Sequence, residues 1–62
     1  MIFANIKARC DEKGISISQL EKAVGLGNAT IRRWLHSSPT VDKLALVADY
    51  FGCSVDDLLR AP

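Results

Sequence analysis

Apolar residues return every three or four positions along almost the whole chain, the period of helices that each bury one face. Ile2, Phe3, Ile6 and Cys10 fall on one side of a first segment, which predicts a helix from about Ile2 to Lys13, with Gly14 as its stop. In "SISQLEKAVG" Ser16 stands three residues before Gln19. That is a capping box: the serine oxygen takes a free amide and the glutamine side chain reaches back. It predicts a helix over Ile17 to Val24, with Leu20, Ala23 and Val24 inward and Gly25 as the left-handed end. The same period predicts a third helix over Asn28 to Leu35. Ile31, Trp34 and Leu35 would face in, and Asn28, Ala29, Arg32, Arg33 and His36 out. "HSSP" breaks it, because the residue before a proline is pushed from helical geometry. Thr40 caps a fourth helix, Val41 to Phe51, with core face Leu44, Val47, Ala48 and Phe51; Leu46 and Tyr50 fall off that stripe. After Gly52, Ser54 with Asp57 opens a fifth, Val55 to about Arg60, with Leu58 and Leu59 inward. No segment alternates as a strand would. The expectation is an all-α fold of five short helices.

Sixty-two residues predict one domain over positions 1–62. A domain this small buries only about 60% of its unfolded surface and leaves little room for a deep cavity. At 48% hydrophobic and 24% charged residues the chain reads as globular rather than disordered. No apolar run nears the roughly 20 residues of a membrane span. The first residues carry no cleavage-like tail after an apolar stretch, so a cytoplasmic protein is expected. Cys10 and Cys53 read as small buried hydrophobes. With His36 the only histidine and no CxxC pair, no metal site and no cofactor are expected, nor any small-molecule ligand. Net charge is +1, but its distribution is uneven: +1 over 1–27, +2 over 28–43 and −2 over 44–62. A positive middle permits a nucleic-acid partner on one face.

Two short helices joined by a glycine-containing turn form a helix-turn-helix unit, here spanning about residues 17–35. "GISISQLEKAVGLGNATIRRWL" followed by "SSPTVDKLALVADYFGCSVDDLL" resembles the phage repressor and Cro-type helix-turn-helix regulators, particularly those of Gram-positive bacteria and their phages. The resemblance covers residues 2–60 and implies a compact five-helix, lambda-repressor-like DNA-binding domain. It assigns Gly25 to the turn and Leu20, Ile31 and Trp34 to packing. Asn28, Ala29 and Arg33 take positions that present side chains to base edges. Gly27 and Thr30 meet the DNA backbone, as do Ser16 and Ser18 at the second helix start and Ser37 and Ser38 after the third. Two positions depart from the family pattern. Ile17 stands where glutamine is frequent. Glu21 stands where alanine is frequent, which predicts a slightly more open corner.

Arginine suits the task, because its fork matches O6 and N7 of guanine. Arg33 is read as a base contact, and Arg32 as a base or a phosphate contact. Asn28 either pairs with adenine or caps the third helix, and Ala29 offers a methyl to thymine. Trp34 is read as core and His36 as a surface residue near phosphate. Leu46 and Tyr50, with Val55 and Leu58, are either incidental surface or a patch where two copies pair through the C-terminal helices. Such a homodimer would suit a palindromic operator in double-stranded DNA. An enzyme is not expected: there is no HExxH, no phosphate loop and no nucleophile–histidine–acid set. Asp56 and Asp57 are adjacent on one helix and point apart. The competing reading is a protein-interaction module, an antitoxin or adaptor. The polar third segment favours DNA over it, and the resemblance to phage repressors implies repression as the regulatory sense.

Overall fold

A computed structural model describes residues 2–60, and Met1, Ala61 and Pro62 of the expected 1–62 domain lie outside them. Four α-helices carry the fold: α1 (Ile2–Lys13), α2 (Ile17–Val24), α3 (Val41–Phe51) and α4 (Val55–Leu59). No strand occurs among the described residues. α1 packs on α2, on α4 and on a short 3₁₀ helix, Arg32–Leu35; α3 closes the other side against α2 and α4. Each element sends residues to one core: Ile6 and Cys10, Leu20, Ile31 and Trp34, Leu44, Val47 and Ala48, and Leu58. Burial pushes the Cys10 thiol above its ordinary range, with the Asp11 carboxylate acting the same way. It is a packing group, not a nucleophile.

The helix ends follow from their cap residues. Ser16 Oγ accepts from Gln19 N at 3.1 Å while Gln19 Oε1 accepts from Ser16 N at 2.8 Å. Ser54 and Asp57 repeat the arrangement on α4, and Thr40 caps α3. The Ser54 backbone N–H bonded to Asp57 holds that carboxyl below the usual carboxylate range. Gly25 ends α2 at φ +78°, with its N–H toward the carbonyls of Glu21 and Lys22. A side chain there meets no atom within 4 Å, so any cost of adding one is conformational. Gly25→Val is expected to cost about 2 kcal/mol, because left-handed geometry costs an L-residue about 1–2 kcal/mol and a branched side chain more. A thermal melt unchanged from wild type would show that the corner does not need this φ.

The chain differs from expectation most in its third segment. Residues 28–31 form turns, and only Arg32–Leu35 wind as 3₁₀, so the structure has four α-helices rather than five. The cause is local. Thr30 N bonds Gly27 O at 3.2 Å to close a tight turn, and Ala29 lies at φ +64°. A left-handed residue cannot sit inside a right-handed helix. Leu35 is 44% exposed instead of inward. With three residues per turn, Ile31 and Trp34 stay aligned while Leu35 swings off their face. Ala23 is also exposed, because the inner stripe of α2 runs through Ile17, Leu20, Glu21 and Val24. Leu59 points to solvent, and its neighbour Leu58 takes the single inward place on α4. Leu58 is fully buried and Val55 half-buried in the core, so Leu58 belongs to no surface patch.

Ala29→Gly is expected to stabilise the domain. Relief of about 1–2 kcal/mol of strain exceeds the roughly 0.4–1 kcal/mol that glycine adds in unfolded-chain entropy. The net gain is about 0.5 kcal/mol, or roughly 2–4 °C in Tm for a domain of this size. A lower melting temperature in the variant would contradict the strained geometry.

Asn5 links the first helix to the last. It is buried, and its Nδ2 donates to the carbonyl of Leu58 at 2.8 Å and to that of Arg60. Its Oδ1 has no partner among the described residues.

Candidate nucleic-acid interface

The corner between α2 and the 3₁₀ helix gathers most of the sequence-predicted residues on one side. Asn28, Ala29, Arg32 and Arg33 are exposed, as are Ser16, Ser18, Gly27, His36, Ser37 and Ser38, while Thr30 is half-buried. Behind them Ile31 (0% exposed) and Trp34 (6%) anchor the segment in the core, which fixes what faces outward.

The two arginines do not share surroundings. Arg32 lines a shallow depression with Lys7 of α1 and Ser16 and Ser18 at the start of α2. Asn28 lines a second depression with Ser18 and Lys22. Arg33 lines neither of these two and is exposed. Ser18 sits where the two depressions meet. Among the described residues Lys22, Arg32 and Arg33 have no carboxylate partner, and Lys7 pairs only with Asp11, at 3.4 Å on the surface. Exposed pairs of that kind are weak and yield to a competing anion.

Several predicted contacts already have structural duties. Ser16 Oγ accepts the Gln19 amide, which leaves its O–H free to donate. Ser37 Oγ donates to Arg33 O at 3.1 Å, and Ser37 N and His36 N bond the same carbonyl, each at 3.0 Å, ending the 3₁₀ helix. Asn28 caps nothing in the side-chain hydrogen bonds of the described residues. That task falls to Glu21, which is only 3% exposed. Glu21 Oε2 accepts from Ile31 N at 2.8 Å, and Oε1 from Ala29 N at 3.3 Å. Glutamate at 21 therefore does not open the corner, as its size predicts; it bonds the corner shut. Sequence reading missed Glu21 as a cap, and Lys7 and Lys22 as neighbours of the site. Lys22 carries a signal in hindsight, since it lies one turn beyond Ser18 and shares its face.

A helical domain whose corner presents unpaired cations and polar side chains beside an amide-rich helix start is built to meet a polyanion. Comparison of the chain with protein families gives a match over residues 5–62 to the Cro/C1-type HTH DNA-binding domain. The chain belongs to this family, the DNA-binding domains of transcription regulators. No curated protein and no solved structure matches it.

Proposed function

We propose that the chain is a sequence-specific regulator, acting as a repressor, that reads the major groove with the segment Asn28–Leu35. Residues 1–62 act as one DNA-binding domain with the helix-turn-helix at about 17–35. The observation that carries this reading is the outward face of that segment: Asn28, Arg32 and Arg33 are exposed, and the arginines lack carboxylate partners among the described residues. Arg33, free of both depressions, takes a base edge, and Asn28 and Ala29 take adjacent ones. Arg32, grouped with Ser16, Ser18 and Lys7, takes a phosphate. Gly27, Thr30, His36, Ser37 and Ser38 border the strand on either side of the segment. The repressor sense follows from the resemblance to phage repressors.

One such domain buries about 600–1,000 Å² on DNA and binds weakly alone. Two copies on a palindromic operator, half-sites about 34 Å apart, supply the rest. Of the expected pairing patch, Leu58 is buried, and Leu46 (45% exposed) with the half-buried Tyr50 and Val55 is available to pair the copies, beside Leu59 (57% exposed). Selection of bound sequences from a random duplex library at physiological salt tests the proposal. A palindromic motif is expected. Enrichment of no motif would move the reading to a protein-binding module.

A further inference from the structure

We propose that Glu21 is the positioning residue of the reading segment: it sets the sequence preference of the domain without touching DNA. The inference rests on the reading that Asn28–Leu35 faces the bases. A carboxylate taken out of water is costly unless strong hydrogen bonds replace the lost solvation. Glu21 is 97% buried by its 3% exposure, and both of its oxygens are engaged, one on Ala29 N and one on Ile31 N. The first amides of a helical segment ordinarily lack partners and take a cap from the residue just before it. Here the cap arrives from another helix, eight and ten residues upstream.

The two amides bracket Thr30 and include the left-handed Ala29. Alanine supplies no preference for that geometry, so the carboxylate does. The main chain of Glu21 holds the near side of the same corner, its carbonyl accepting from Leu26 N at 2.9 Å. One residue thus sets the angle between α2, which carries Ser18 and Lys22, and the segment that carries Asn28, Arg32 and Arg33. Base reading tolerates errors of only about 0.5 Å or 10–20°, whereas attraction to phosphates tolerates far more. Loosening the clamp should therefore remove discrimination and spare general DNA affinity.

Glu21→Gln preserves shape but turns an N–H donor toward one of the two amides. The experiment compares wild type, Glu21→Gln and the double variant Glu21→Gln with Ala29→Gly. Each is measured against the duplex selected by wild type and a scrambled duplex, at one salt concentration and below every melting temperature. Amide exchange of Ala29, Ile31 and Val47 is followed in the same samples. In Glu21→Gln the preference for the selected duplex should fall about tenfold, the equivalent of one hydrogen bond to a charged group, with scrambled binding little changed. Exchange should accelerate at Ala29 and Ile31 but not at Val47 in the core. The double variant should recover part of the preference, because glycine adopts the left-handed turn unaided. Faster exchange at Ala29 and Ile31 with the preference intact would overturn the proposal. So would equal losses on both duplexes, or loss of helix in both variants, which would make Glu21 a folding element only. A wild type with no preference at all would defeat the base-reading proposal itself, and that outcome is visible before any variant is compared.

Discussion

Replacing Trp34 with alanine is expected to leave the chain largely unfolded at 25 °C. Removing a buried aromatic costs about 3–5 kcal/mol, and a core in a chain of this size rarely supplies more than about 3–5 kcal/mol in total. Trp34 is 6% exposed and lies in the cluster joining Ile6 and Cys10 of α1 to Leu44 and Val47 of α3. The 3₁₀ helix has only four residues and no side-chain cap of its own. Too short to be stable alone, it takes its apolar anchorage from this one ring and Ile31, beside the Glu21 hydrogen bonds at its start. Far-ultraviolet circular dichroism through a thermal melt checks the expectation. A cooperative transition within about 5 °C of wild type, a shift worth only about 1 kcal/mol at this size, would show that Trp34 does not hold the core.

The second large effect separates the two arginines. Arg33→Ala should cost about 1–3 kcal/mol on the preferred sequence and relax the preference at one base position. It should leave the salt dependence almost unchanged. Arg32→Ala should weaken every sequence alike and reduce the slope of log affinity on log salt by about 0.9, one phosphate's worth of released counterions. Titrations of both variants on matched and single-mismatch duplexes at several salt concentrations decide it. If Arg33→Ala lowers the salt slope and spares the preference, the two roles are exchanged.

Helix boundaries were legible because the residues that end helices do so by local chemistry. Ser16 with Gln19, Ser54 with Asp57, Thr40 and Gly25 all act within a few positions of themselves. The third segment was not legible in the same way. The spacing of Ile31, Trp34 and Leu35 fits a winding of 3.6, and Ile31 with Trp34 fits a winding of 3.0 equally well; Leu35 separates the two only by where it ends up. Ala29 carries no mark of its positive φ, since glycine or asparagine would ordinarily signal it. Glu21 could be read as a cap only by knowing that two amides, eight and ten residues away, need partners. For the candidate interface, residue types announced the chemistry, but neighbours such as Arg32 and Arg33 diverge according to the winding of the segment. The proposed division of the two between base and phosphate therefore leans on their neighbours in three dimensions.

The Asn5 clasp on Leu58 and Arg60 has a consequence for how the domain comes into being. Its partners are 53 and 55 residues away, and closing a loop of that length costs on the order of 3–4 kcal/mol in chain entropy. The helices need only their neighbours, but this bond and the burial of Leu58 need nearly the whole chain at once. A chain cut before Leu58 lacks both this bond and the last apolar residue of the core, and is expected to remain a loose set of helices.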